Sequence, residues 1–258
     1  MTYKTIIYDV AENVAKIRLN RTDKMNALNA EMRIELRHAI ALAAEDARAL
    51  VLTGMGRGFC AGQDLGDVKR FGQVNLEQTL TEEYAPLITA LAECPIPTIC
   101  AVNGAAAGGG ANLALAADIC LAAHSATFLQ AFARIGLMPD CAGTYWLPRR
   151  VGLARAMGLS LLAEPITAEQ AADWGLIWEA VPDGDLQVRA QEMAQKLANG
   201  PTAAYARIKE ALRGSERNDL AGQMEVEAEM QGELGQTHDF REGVMAFLER
   251  RPADFQGE

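Results

Sequence analysis

Asp140 stands in Ile135-Gly136-Leu137-Met138-Pro139-Asp140-Cys141-Ala142-Gly143-Thr144, a carboxylate whose chain neighbours are all apolar or small. A carboxylate drawn out of water is pushed toward a higher pKa, which suits it to take and return a proton near neutral pH. Pro139 fixes its own φ and biases Met138 toward extended backbone, so Asp140 is reached along a stiff, non-helical stretch. A second reading fits the same residues: Asp140 caps a helix that begins near Gly143-Thr144.

Two glycine-rich stretches lie upstream, each entered from a β-prone run. Ala49–Thr53 leads into Gly54-Met55-Gly56-Arg57-Gly58-Phe59-Cys60-Ala61-Gly62-Gln63-Asp64-Leu65, and Thr98–Gly104 leads into Ala105-Ala106-Ala107-Gly108-Gly109-Gly110-Ala111-Asn112-Leu113. Glycine lets backbone approach a ligand closely, and the Ala/Leu run after Gly108–Gly110 reads as a buried helix whose free N–H groups face the glycines. Two N–H donors converging on one carbonyl would form an oxyanion hole. The plainer alternative is that these glycines only turn the chain and let helix pack on strand. Gly54-x-Gly56-x-Gly58 misses the dinucleotide-binding spacing, and neither a P-loop nor a G-x-S-x-G elbow occurs.

Other features narrow the classes. A net charge of −10 opposes nucleic-acid and acidic-membrane partners. The longest apolar runs are interrupted by Asn, Asp and Gly, and no signal segment is expected ahead of the strand-like start. The five cysteines are odd in number and lack metal-ligand spacing, which predicts reduced thiols, a cytosolic location and no metal site. Cys141, with no histidine near it in sequence, reads as packing. His38, His124 and His238 read as structural or exposed.

These residues need a scaffold. Thr5–Asp9 with Val14–Leu19 predicts a hairpin, and Asn29 caps a helix over Ala30–Ala44. Strands at Leu50–Thr53, Thr98–Val102 and Asp118–Ala122 alternate with helices, including one around Glu77–Glu93, which predicts an α/β core. Residues 66–74 read as a mobile loop. From Gln187 the pattern is almost wholly helical, with Pro201 at a helix start.

Ala61-Gly62-Gln63-Asp64-Leu65, Asn103-Gly104 through Gly110, and Gly136-Leu137 through Gly143-Thr144 resemble the successive signatures of the crotonase, or enoyl-CoA hydratase/isomerase, superfamily. Leu19-Asn20-Arg21, Asn26-Ala27-Leu28 and Arg241–Leu248 extend the resemblance to nearly the whole chain. It implies a spiral of ββα turns over residues 1–195, binding acyl-CoA. Residues 196–258 would be a helical region giving oligomer contacts, in a homotrimer or dimer of trimers, and part of the active-site cover. The implied oxyanion donors are the N–H groups of Gln63 and Gly109. Arg21, Lys24, Ala27, Ala61, Asp64, Leu65 and Phe132 are the implied substrate and coenzyme A contacts; Arg21 and Lys24 read equally well as solvated loop charges. Coenzyme A arrives as part of the substrate, so no separate cofactor is expected.

The departures point away from hydration. A hydratase of this kind carries two glutamates where this chain has Asn112 and Phe132, neither of which can serve as a carboxylate base. Asp140 falls where superfamily isomerases and a dehalogenase use a single aspartate. Gly56–Leu65, Met138–Cys141, Ala156–Leu159 and Asp173–Trp178 are further similar to the ring-epoxide isomerases of phenylacetate breakdown, with Ala142 where Gly is expected. That resemblance implies conversion of ring-1,2-epoxyphenylacetyl-CoA to oxepin-CoA and a shift of 3-enoyl-CoA to 2-enoyl-CoA double bonds. The alternatives are hydration, dehalogenation, and a non-catalytic acyl-CoA- or RNA-binding member. Phe132, Ile135 and Leu137, with Trp146, are expected to line an apolar pocket beside Asp140; Phe132 also fits as ordinary core.

Overall fold

The computed structural model describes residues 2–66 and 75–258; from residue 67 on, the loop expected at 66–74 lies outside the described residues. β1 (Ile6–Ala11) and β2 (Val14–Leu19) form an antiparallel hairpin. Its two turn residues, Glu12 and Asn13, are both left-handed, at φ 52° and 61°, as a tight hairpin turn requires. α1 (Ala30–Asp46) follows, and the Asn29 side chain caps it by accepting from Met32 N.

Three strand–strand–helix units come next. The first is β3 (Ala49–Gly54), β4 (Gly58–Cys60) and a helical passage made of α2 (Leu76–Thr79), a π-helical turn (Leu80–Tyr84) and α3 (Ala85–Ala92). The second is β5 (Thr98–Val102), β6 (Ala105–Ala107) and α4 (Gly109–Ala116). The third is β7 (Ile119–Ala123), β8 (Thr127–Leu129), a 3-10 turn (Ala131–Ile135) and α5 (Gly143–Leu162). Then come β9 (Ile166–Thr167), α6 (Ala168–Asp173), β10 (Glu179–Val181) and α7 (Leu186–Ala198), and the chain ends in α8 (Thr202–Gly214), α9 (Leu220–Leu234) and α10 (His238–Glu249).

Each unit gives its first strand to a sheet ordered β1-β2-β3-β5-β7-β10 and its second to a sheet ordered β4-β6-β8-β9. The larger sheet is parallel from β2 onward, and β4, β6 and β8 are parallel in the smaller one. Successive units therefore stack as turns of a spiral, the α/β architecture expected. β3 and β5 are buried along their whole length, which is why they read as unbroken apolar runs. All eight residues of α4 are buried too.

Residue 195, after which the helical C-terminal region is expected to begin, falls inside α7. Leu186, Ala190, Ala194 and Ala198 form the buried stripe of that helix, and it packs on β3 and β5; the apolar period continues to Ala198, so the whole helix belongs with the sheet. The helices after Pro201 are tied back by Lys209, whose ammonium lies 2.7 Å from Asp118 Oδ2, and by Arg213, 2.8 Å from Asp118 Oδ1.

Asn26 organises the approach to the first glycine-rich stretch. It is fully buried and left-handed, at φ 54°. Its Nδ2 donates to the carbonyls of Met55, Gly58 and Phe59, while Oδ1 accepts from Arg21 N. Asn26→Ala strands these groups and leaves Ala in a conformation that asparagine tolerates better. It should lower stability to urea unfolding by about 2–3 kcal/mol; a loss within 0.5 kcal/mol would show the hub to be dispensable.

Candidate active site

The site is built where β4 runs out beside β6. Gly62 sits at φ +88°, and a Cβ placed on it would lie 2.7 Å from Ala107 O and 3.3 Å from Gly109 N, so no other residue allows the two glycine-rich stretches to lie so close. On the opposite side Leu28 N donates to Gly62 O at 2.7 Å and Asp64 N donates to Leu28 O at 3.1 Å. In this parallel bridge both polar groups of Leu28 are used, whereas the N–H of Gln63 points to the other edge, toward β6 and α4. Gly109 opens α4, and its N–H has no intrahelical partner and sits at the positive end of the helix dipole. Two backbone donors on adjoining segments can receive one carbonyl oxygen and the negative charge it gains during enolisation.

Asp140 faces these donors. A Cβ added to Gly109 would lie 3.9 Å from Asp140 Oδ1, 3.1 Å from Cys141 Sγ and 3.9 Å from Tyr84 Cε1. Asp140 is not a helix cap: the N-cap of α5 is Ala142, and no side chain caps that helix. Instead the backbone turns sharply after the carboxylate, with Cys141 at φ 49° and Ala142 at φ 62°. Burial pushes the half-buried Asp140 carboxyl above its ordinary pKa, with a hydrogen bond from the Cys141 thiol pulling the other way. The Cys141 thiol is itself pushed well up by burial and by the adjacent Asp140, so it stays protonated.

Phe132 belongs to the same cluster. Its ring packs against Gly108, where an added Cβ would lie 3.6 Å from Cζ, and it is 7% exposed. Its companions do not gather there. Ile135 and Leu137 are 58% and 41% exposed. The Trp146 ring lies near the guanidinium groups of Arg150 and Arg213, which bind the carbonyls of Leu115 and Ala116 at the far end of α4 from Gly109. Of the wall expected from Phe132, Ile135, Leu137 and Trp146, only Phe132 is packed beside the glycine triple; the end of the 3-10 turn and the loop after it leave Ile135 and Leu137 exposed.

The remaining candidates form a strip along the outer edge of β4. Ala61 N donates to Met25 O, Ala27 is buried, and Ala61 and Leu65 are exposed. Arg21 and Asp64 meet each other at 2.7 Å, and Arg21 also donates to Ala27 O. Arg21 pulls the Asp64 carboxyl below its usual range, against the effect of burial. Lys24 is left as an exposed cation, joined nearby by Arg57, which was not anticipated and whose Nε contacts Met25 Sδ at 3.1 Å.

Two further residues went unforeseen. Arg33 is 4% exposed and donates through Nη1 to Leu28 O at 2.9 Å and to Gln63 Oε1 at 3.1 Å, while Glu83 neutralises it. Tyr84 donates its hydroxyl to Gln63 Oε1 and lies with its ring 4.8 Å from the Arg33 guanidinium. Burial raises the Tyr84 pKa so far that it stays a neutral phenol.

A family model described as enoyl-CoA hydratase/isomerase matches residues 9–258. The chain belongs to this family. As a member of the crotonase superfamily it is an enzyme, and acyl-CoA is the substrate class of the family. It is 59% identical, over the full length of both chains, to a Rhodobacter capsulatus protein named a probable enoyl-CoA hydratase. It is 46% identical, over 98% of each chain, to the 1,2-epoxyphenylacetyl-CoA isomerase of Escherichia coli. The crystal structure of an enoyl-CoA hydratase from Bacillus anthracis superposes with a TM-score of 0.91, at 34% identity over 99% of this crotonase and 100% of that chain.

The raised pKa of Asp140 has a stability consequence. The folded state holds the proton more tightly than the unfolded chain, so the ionised carboxylate costs stability above its folded pKa, and that cost vanishes below the unfolded value of about 3.9. Asp140→Asn should therefore melt higher than wild type at pH 7, by roughly 1–3 °C, and the gap should close as the pH falls toward 4. A lower melting temperature at pH 7 would show that the carboxylate is not held at a cost.

Proposed function

We propose that this crotonase is an acyl-CoA isomerase working through one aspartate. The observation that carries this reading is the Asp140 carboxylate standing over the α-carbon of Gly109, with amide and phenyl side chains, Asn112 and Phe132, where the resemblance puts the glutamates of a hydratase. The thioester carbonyl would accept from the Gln63 and Gly109 N–H groups. Asp140 would remove a proton from C2 of a 3-enoyl-CoA to give the dienolate and return it at C4, so that the double bond moves from C3–C4 to C2–C3. For ring-1,2-epoxyphenylacetyl-CoA, the same polarisation of the thioester would assist isomerisation to the oxepin. The 46% identity to a 1,2-epoxyphenylacetyl-CoA isomerase supports this substrate, as does the apolar Phe132 ring beside the donors. The chemistry calls for no cofactor besides the coenzyme A of the substrate, whose phosphates would meet Lys24 and Arg57 on the rim.

We also place the protein in the cytosol as a homotrimer or dimer of trimers. Five unpaired thiols support the first. The second is supported by the exposed apolar side chains of the terminal helices, Phe247 at 83% and Leu220 at 79% among them, since faces of this kind mark association surfaces. Among the described residues no helix is long and apolar enough to cross a membrane.

Asp140→Asn should lower kcat/KM on a 3-enoyl-CoA by at least about 100-fold. A folded variant that binds acyl-CoA and isomerises at the wild-type rate removes the base. Phe132→Ala should lower kcat/KM for the ring substrate by more than for a straight-chain 3-enoyl-CoA, by about tenfold in ratio; equal losses on both would take ring selection away from Phe132. The 59% identical relative named a probable enoyl-CoA hydratase favours a second reading, hydration. Incubation with a 2-enoyl-CoA decides between them: hydration matching the isomerase rate would put hydration ahead of isomerisation.

A further inference from the structure

Asn112 is fully buried, yet it does more than fill space. Its Nδ2 donates to the backbone carbonyl of Asp140 at 2.7 Å, and its Oδ1 accepts from Gln130 Nε2 at 2.9 Å. Gln130 is itself 4% exposed, so this polar strut runs wholly through the interior. The Asp140 carbonyl also accepts from Gly143 N at 2.8 Å, and a Cβ on Gly143 would overlap the Asn112 amide. The segment from 140 to 143 is thus wrapped around one amide.

That segment is unfavourable by itself. Cys141 and Ala142 are consecutive non-glycine residues in the left-handed region, and such backbone persists only where the surroundings over-determine it. Asn112 is three residues along α4 from Gly109 and hydrogen-bonds back to Gly108 O through its own N–H. One rigid helical turn therefore joins the Gly109 N–H to the group that grips the Asp140 backbone.

We propose that Asn112 is a positioning residue, which through the Asp140 carbonyl sets the carboxylate at a fixed place relative to the Gly109 donor, with Gln130 holding the Asn112 amide in the donating orientation. This rests on Asp140 being the base. Proton transfer between two carbons needs the carboxylate within reach of both, and a displacement of about 1 Å costs on the order of 100-fold.

The test is a double-mutant cycle of Asn112→Ala and Asp140→Asn, read with 3-hexenoyl-CoA as substrate and hexanoyl-CoA as a non-reacting probe of binding. Asn112→Ala alone should lower kcat by about 10- to 100-fold, with KM and the hexanoyl-CoA Kd within about twofold. In the Asp140→Asn background the same change should cost less than about twofold, because the group it places is already gone. Equal losses in both backgrounds, or an unchanged kcat in Asn112→Ala, overturn the positioning role while leaving the base intact. Full activity in Asp140→Asn overturns the base and the positioning role together. Gln130→Met keeps the side-chain volume and removes the donor; it should lower kcat in the same way, by about three- to tenfold, with KM unchanged. If Asn112→Ala does not fold, an unchanged kcat in Gln130→Met overturns the proposal.

Discussion

The whole site depends on how closely two backbones can lie. A Cβ on Gly62 would press on Ala107 O and Gly109 N, and one on Gly110 would overlap Cys60. Those absences of side chain let the segment carrying Gln63 run directly against the start of α4. Hydrogen bonds from the far side fix the separation: Leu28 takes up the Gly62 carbonyl and the Asp64 N–H on either side of Gln63, and the buried Arg33 binds the Leu28 carbonyl and the Gln63 side chain at once. Because backbone groups alternate sides along the chain, the N–H of Gln63 between them turns to the inner side. Backbone donors held this way need no reorganisation when charge develops on an oxygen, which is where electrostatic catalysis gains most.

The carboxylate is held at a cost, and its neighbours show how the cost is contained. Burial disfavours ionised Asp140, and the protonated Cys141 thiol returns part of the loss through a hydrogen bond. Tyr84 closes another side of the space without adding charge, its ring at Gly109 and its hydroxyl spent on Gln63. The Arg33 charge is answered by Glu83 and lies behind the segment that carries Gln63. Among the described residues, the space in front of Gly109 thus holds one titrating carboxylate amid groups that stay neutral, the environment in which a carboxyl pKa rises toward a working range.

Much of this was legible from residue types. The hairpin, the Asn29 cap, the apolar parallel strands and the buried helix after the glycine triple all follow local rules; Asp140 stands out by its apolar neighbours, and the family resemblance picks out Gln63 and Gly109. What escaped were contacts set by tertiary geometry. Tyr84 ends a π-helical turn, and the extra residue in that turn shifts the phase of the helix face that a 3.6-residue period would assign. Ile135 and Leu137 look like pocket lining by proximity to Asp140, but a 3-10 turn followed by left-handed Gly136 turns them to the surface. Arg33 left a signal that could have been used: it stands in register with Leu36, Ile40 and Ala43 on the buried face of α1, and a charge on an apolar stripe demands buried partners. Arg21 illustrates the opposite limit. Its charge was visible, but its pairing with Asp64, forty-three residues away, was not.

In the proposed mechanism Asn112 ties the backbone donors to the base. A carboxylate at this position would find the Asp140 backbone carbonyl in place of a donor, and its charge would sit one short loop from a second carboxylate. Like charges in a shared low-dielectric space cannot both ionise freely, so their titrations would couple and one pKa would climb. The amide avoids both conflicts: it donates where the carbonyl needs a donor, accepts from Gln130, and adds no charge. One titrating group among the described residues of the site suits the proposed reaction, which takes a proton from one carbon and returns the same proton to another. Adding water calls for a base to activate it and an acid to complete the addition, and the residues that would supply such a pair are here an amide and a phenyl ring. On the proposed isomerisation, the amide at position 112 both leaves Asp140 without a second carboxylate and supplies the strut to its backbone.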